Sequence, residues 1–240
     1  METILKLIDV EIQKLELNYG SRSLKKFFFN QEKNKYLNLL NKINISFQVG
    51  DKIALLGKNG SGKSTFLKLI SGIYPKTSGK IIQNFNTMSS IIDLSVGVND
   101  NLSGYDVLYF KFLLKGMSKS DLDKNLNFIK NFSGLGEDIY KQFRYFSQGM
   151  KLRLLVSAEF SNLTEVLLID EVISTGDKSF SEKSEEFILK KSNQCKLFML
   201  ASHDLNIVRK FCDKGIVFNK GKIEKFDEIK KCIEYYNSTI

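Results

Sequence analysis

No stretch of this 240-residue chain approaches the ~18 consecutive apolar residues that a membrane-spanning helix needs. Residues Met1 to Gln13 carry Glu2, Asp9 and Glu11, where a secretory leader would be basic and then apolar. A spanning segment and an export signal are therefore not expected. Cysteine is sparse: Cys195, Cys212 and Cys232 are odd in number and lack metal-ligand spacing, which suits a reducing compartment and packing roles better than a disulfide scaffold. Histidine occurs once, as His203, so any imidazole chemistry rests on that residue. Blocks of five or six like charges are also missing. The net charge of +9 is spread from Lys6 to Lys231 and interleaved with acids, as between Glu182 and Lys191. That pattern favours a lysine-rich solvated surface over a nucleic-acid-binding tract. There is no internal repeat and no low-complexity segment.

What is present suits a single folded α/β domain: 42% hydrophobic and 26% charged residues are ordinary globular values. The stretches Ile4–Val10, Ile12–Leu17 and Ile43–Val49 read as strands, followed by a turn at Gly50-Asp51 and a buried strand over Lys52–Leu56. Residues 21–35 form a basic and aromatic insert around Phe27-Phe28-Phe29, read as a packed loop, with a membrane-surface or partner-facing segment as the alternative. Helices are expected over Asp106–Leu114, over Asp121–Phe132 with Ser120 as cap, and over Gly149–Phe160. A buried strand at Val166–Ile169 follows. After it come helices at Lys178–Lys191 and Leu205–Phe211, a strand at Leu197–Ala201, and a hairpin over Ile216–Ile223.

Gly57-Lys58-Asn59-Gly60-Ser61-Gly62-Lys63-Ser64-Thr65 fits the phosphate-loop pattern G-x-x-x-x-G-K-[ST] between a strand and a helix start. The glycines let backbone N–H groups close on phosphate oxygens, and the helix beginning at Lys63 points its positive end at them. Lys63 is placed to reach the β and γ groups and Ser64 to ligate Mg²⁺. Asp170 and Glu171 close a buried strand where a sheet's C-terminal edge meets such a site, pointing to opposite sides. Asp170 then holds Mg²⁺ through water while Glu171 polarises an attacking water. His203 follows the strand Leu197–Ala201, far enough past Asp170 for one helix and one return strand, so the same edge is expected to carry it. Tyr145-Phe146-Ser147-Gln148-Gly149-Met150 before a helix is a second anion-binding helix start. It either folds back over the phosphate loop or completes the site of a second chain.

Phosphate loop, helical insert, signature, acidic strand end and histidine, in that order over nearly the whole chain, resemble the ATP-binding cassette ATPases. The resemblance implies a phosphate-loop NTPase fold with a RecA-like core and an antiparallel β subdomain within 1–90 and 162–240, and a helical subdomain over 91–161. It implies ATP and Mg²⁺ as cofactors and a head-to-tail pair of identical chains. Ser147, Gln148 and Gly149 then form the signature across the interface, with Ser147 and Gly149 at the γ-phosphate. Asp177 in Ser174-Thr175-Gly176-Asp177 matches the loop linking the two sites, and Tyr19 in Asn18-Tyr19-Gly20 matches the aromatic that stacks on adenine. Phe146-Ser147-Gln148-Gly149-Met150 departs from Leu-Ser-Gly-Gly-Gln and looks like the signature of exporters of capsular polysaccharide, O-antigen or teichoic acid. Leu102-Ser103-Gly104 and Glu171-Val172 resemble the same branch. Asp93 in Ile91-Ile92-Asp93-Leu94 stands where the family has a glutamine that contacts Mg²⁺ and faces the membrane subunit.

The expected protein is thus the ATP-hydrolysing motor of an exporter, peripheral on the cytoplasmic face of the cell membrane and bound to an integral permease, with no nucleic acid as partner. The end at Ile240 implies no appended carbohydrate-binding domain. The competing readings are a soluble cassette ATPase acting on DNA or ribosomes and a nucleotide-binding regulator that does not hydrolyse. The first lacks a coiled coil or second cassette, and the second has no use for Glu171.

Overall fold

The computed structural model describes residues 2–15, 36–162, 164–171 and 178–239. Two sheets organise it. A three-stranded antiparallel sheet has the order β2-β1-β4, with β1 at Thr3–Leu15, β2 at Tyr36–Gln48 and β4 at Ser78–Gln83. A six-stranded sheet has the order β5-β6-β7-β3-β8-β9. Its strands are β3 (Asp51–Leu56), β5 (Met88–Ile91), β6 (Val166–Asp170), β7 (Leu197–Ala201), β8 (Lys214–Asn219) and β9 (Lys222–Glu228). All are parallel except β9, which returns antiparallel on β8.

The helices are α1 (Lys63–Ile70), α2 (Gly104–Leu114), α3 (Lys119–Ser133), α4 (Gln148–Phe160), α5 (Lys178–Ser192), α6 (Leu205–Phe211) and α7 (Ile229–Thr239). No helix among the described residues is long and apolar enough to cross a membrane.

The apolar runs of β3, β6 and β7 are continuous because both faces of these central strands are covered. Successive side chains sort into two cores. Ile53, Leu55, Leu168, Leu197 and Met199 join β1, β2 and α1 on one side; Ala54, Leu56, Leu167, Ile169, Phe198 and Leu200 join the remaining helices on the other.

Two sequence expectations are corrected. Ile4–Val10 and the described part of Ile12–Leu17 are one strand. The break in alternation between them is a bulge: Asp9 has φ 46°, the register shifts on both sides of Val10, and Asn44 exchanges two hydrogen bonds with Asp9, at 2.9 and 2.7 Å. The bulge re-aims side chains without ending the pairing. The second correction concerns α3, whose cap is Ser118 and not Ser120. Ser118 Oγ accepts from the Asp121 N–H at 3.2 Å, while the Asp121 carboxylate accepts from the Ser118 N–H at 2.9 Å. Asp123, the acid three residues after Ser120, instead accepts from the Tyr105 hydroxyl at 3.1 Å.

A candidate nucleotide site at the sheet edge

Parallel pairing brings the C-terminal ends of β3, β7 and β6 to one edge, with Leu55 opposite Ala201 and Ala201 opposite Asp170. The phosphate loop, the acidic pair and His203 therefore converge by topology, as ligand sites of open α/β sheets do. A cavity of about 520 Å³ opens there, and its lining includes Asn59 to Thr65, Asp170, Glu171 and His203.

Within the loop, Gly57 has φ 146°, and a Cβ there would lie 2.5 Å from the Phe218 carbonyl oxygen. Gly62, the residue before α1, has φ 117°. No side chain caps α1, so the N–H groups of its first turn face the cavity. Lys63 is buried and folds back, donating from Nζ to the Gly57 carbonyl at 2.6 Å and the Lys58 carbonyl at 3.2 Å. Burial lowers its pKa against the opposing pull of Glu171 and Asp170. Ser61 Oγ is buried with no hydrogen-bond partner among the described residues. An orphaned hydroxyl, uncapped N–H groups and a lysine aimed into the loop fit an anionic polyphosphate.

Ser64 and Asp170 both line the cavity, and the Asp170 pKa is raised because burial outweighs the opposing influence of the Ser64 hydroxyl and Glu171 adds like charge. A hydroxyl and a carboxylate side by side are an oxygen-donor pair suited to Mg²⁺. Glu171 reaches its place by leaving the strand: β6 ends at Asp170 and Glu171 takes φ 46°, its N–H donating to the Ala201 carbonyl at 3.0 Å. Glu171 thus lies beyond the end of the strand in a left-handed conformation, and it lines the same cavity as Asp170. His203 Nε2 lies 3.1 Å from Glu171 Oε1. The histidine is held between β7 and α6, where Asp204 caps the helix by accepting from the Asn206 N–H at 2.8 Å.

Other expected residues lie elsewhere. Ser147 caps α4, its Oγ accepting from the Met150 N–H at 3.2 Å, and Phe146 is buried beneath it against Gly104. Ser147 and Gln148 are exposed, and neither they nor Gly149 lines the cavity. Asp93 does not line it either. Its carboxylate accepts from Ser95 Oγ at 2.5 Å and Ser95 N–H at 3.3 Å, bonds that hold its pKa down. Tyr19, Asp177 and the insert at 21–35 lie outside the described residues.

The sequence reading missed two parts of the wall. Leu37, Asn38 and Leu39 at the start of β2 line the cavity, as do Lys220 and Gly221 in the β8–β9 turn. Gly221 donates to the Ser61 carbonyl at 2.8 Å and accepts from Asn41 at 2.9 Å, and a Cβ on it would sit 2.5 Å from the Leu39 oxygen. The Asn219-Lys220-Gly221 turn was readable as a hairpin. Nothing local signals that it braces the phosphate loop.

Strand, phosphate loop and helix, with a carboxylate pair and a histidine on the neighbouring strand ends, define the class of phosphate-loop nucleotide-binding ATPases. Within that class the particular family is also shown. The ABC transporter family profile matches residues 40–174, and the chain belongs to that family.

Among its relatives, the O-antigen export system ATP-binding protein RfbE of Yersinia enterocolitica is 37% identical over 182 residues, 75% of this chain and 76% of that protein. The capsule polysaccharide export ATP-binding protein CtrD of Neisseria meningitidis serogroup B is 34% identical over 200 residues, 83% and 90% of the two chains. Among solved structures, a dimeric post-hydrolysis ATP-binding cassette bound to ADP and Pi superposes with a TM-score of 0.73 at 17% identity, covering 94% of this chain and 99% of that one. At that identity the likeness speaks for the fold.

Proposed function

We propose that this chain is the ATP-hydrolysing motor of a transporter exporting a surface polysaccharide such as O-antigen, capsule or teichoic acid. The observation that carries the hydrolytic part is the pairing of Glu171 with His203 at 3.1 Å on the wall of the phosphate-loop cavity. A site built only to hold nucleotide has no use for a carboxylate oriented by an imidazole. The cargo rests on the relatives that are named for O-antigen and capsule export.

In this reading the amides of Gly60 to Thr65 and the Lys63 ammonium hold the β and γ phosphates, with Lys63 exchanging its two carbonyl partners for phosphate oxygens. Ser64 and Asp170 hold Mg²⁺, which when bound neutralises charge on the phosphates. Glu171 accepts the proton of the attacking water, and His203 keeps Glu171 and the γ-phosphate in register. Tyr19 stacks on adenine.

The signature at Ser147, Gln148 and Gly149, its first two residues exposed and all three standing apart from their own chain's cavity, supports a head-to-tail pair in which each copy closes the other's site. Asp177 links the two. Asp93 meets the permease side of the site, and the assembly sits on the cytoplasmic face of the membrane. The test is Mg²⁺-dependent ATP hydrolysis by the purified chain against Glu171→Gln. Loss of turnover by about 10²- to 10⁴-fold with ATP binding retained is expected, and unchanged turnover rejects the assignment.

A further inference from the structure

The phosphate-loop cavity opens into a second one. Thr65, Leu37 and Leu39 line the first cavity and also a neighbouring cavity of about 520 Å³, whereas Glu171 and His203 line the first alone. A triphosphate whose γ group lies at Glu171 carries its nucleoside at the other end of the phosphate chain. The second cavity continues the site beyond the residues that hold the γ group.

One wall of that cavity is the segment between α1 and β4, and it is held firmly. Tyr74 donates its N–H to the Lys68 carbonyl at 3.0 Å, and the Lys68 ammonium stands 5.4 Å from the centroid of the Tyr74 ring. Pro75, the only proline of the chain, fixes its own φ. Thr77 is stitched to β1 twice, its N–H donating to the Glu11 carbonyl at 2.8 Å and its Oγ1 accepting from the Gln13 N–H at 2.9 Å. Tyr74 is 37% exposed and lines the cavity. An aromatic ring already held by its backbone and by an ammonium offers a stacking surface at little ordering cost to a ligand. With apolar Leu37 and Leu39 and the hydroxyl of Thr65 around it, the cavity has the mixture that suits a flat ring with a polar edge.

We propose that Tyr74 is a nucleoside-binding residue: with the phosphates in the loop and the γ group at Glu171, the nucleoside lies in the second cavity against the Tyr74 ring. The proposal rests on the reading of the first cavity as an ATP site. It adds the end of the molecule that the phosphate loop leaves unread, because loop amides and the Lys63 ammonium recognise any polyphosphate. Preference for a nucleoside triphosphate over a bare polyphosphate then falls to a wall outside the phosphate loop, the signature and the acidic pair.

The test compares two ligands on one chain, MgATP and magnesium tripolyphosphate, by calorimetry. Tyr74→Ala should weaken ATP by about 10-fold or more and leave tripolyphosphate within about 2-fold. Tyr74→Phe, which keeps the ring, should hold ATP within about 3-fold. An alanine variant with wild-type ATP affinity, or one that weakens both ligands alike, would overturn the proposal. If that variant does not fold, photolabelling of the wild-type chain with 8-azido-ATP decides. The label should fall on the tryptic peptide 69–76, and a label found only elsewhere would overturn the proposal. A wild-type chain that binds neither ligand refutes the ATP reading and this proposal with it; binding of both with no separation at Tyr74 refutes this proposal alone.

Discussion

His203 Nε2 stands 3.1 Å from Glu171 Oε1, joining the ends of two neighbouring strands by a contact that neither strand makes through its backbone ladder. Glu171 holds a left-handed backbone at φ 46°, an unusual conformation for a glutamate. Strain retained beside an imidazole at the mouth of a phosphate-loop cavity is consistent with a requirement for that one carboxylate position. His203→Ala is expected to lower kcat for ATP hydrolysis by about 10²-fold while ATP affinity changes little. A variant that is insoluble, or one that hydrolyses normally, argues for a packing role instead.

Lys63 donates to two carbonyl oxygens of its own loop, Gly57 at 2.6 Å and Lys58 at 3.2 Å. Lys63→Ala removes both the charge that would meet the phosphates and the group that fills the loop. ATP binding, followed by fluorescence or calorimetry, should weaken by at least ~10²-fold. Retained binding contradicts the phosphate-loop assignment.

Asp170 offers a test by pH. Burial raises its folded-state pKa above the unfolded carboxylate value of about 3.9, so the native state prefers the protonated form. The resulting stabilisation is complete below the unfolded pKa and is lost as pH rises through the folded one. Asp170→Asn escapes this loss. In the absence of nucleotide and Mg²⁺, the Tm of Asp170→Asn minus that of the wild type should grow as pH rises from about 4 and then level off. A difference that shrinks over that range would show that the site stabilises the charged form.

The helix start at Ser118 makes a smaller prediction. Ser118→Ala removes one side of a reciprocal cap and should lower unfolding stability by about 1 kcal/mol, whereas Ser120→Ala should stay within ~0.5 kcal/mol. Equal effects in chemical denaturation would contradict the assignment of the cap.

Much of this architecture was legible in the sequence, for physical reasons. The strands at Lys52–Leu56, Val166–Ile169 and Leu197–Ala201 are buried on both faces, so their apolar runs are unmistakable, and the glycine loop between strand and helix needs no tertiary context. Parallel order then brings Asp170 and His203 to the loop's edge.

The parts that escaped have weak local signals. β4, Ser78–Gln83, pairs with β1 alone among the described residues and is mostly exposed, so it shows no apolar alternation. β5 is four residues long, and α7 was not read as a helix at all. The bulge at Asp9 looked like a strand break because a bulge reverses side-chain phase while the ladder continues. In the site, Leu37, Leu39 and Gly221 reach the phosphate loop from elements distant in sequence.

The central claim is that two copies complete each other's site, and the most direct measurement is light scattering on the Glu171→Gln chain with and without MgATP. The expected result is a monomer without nucleotide, a doubling of mass with it, and a return to monomer when Ser147→Arg is added. A chain that stays monomeric at saturating MgATP, or a dimer indifferent to Ser147→Arg, would contradict the claim.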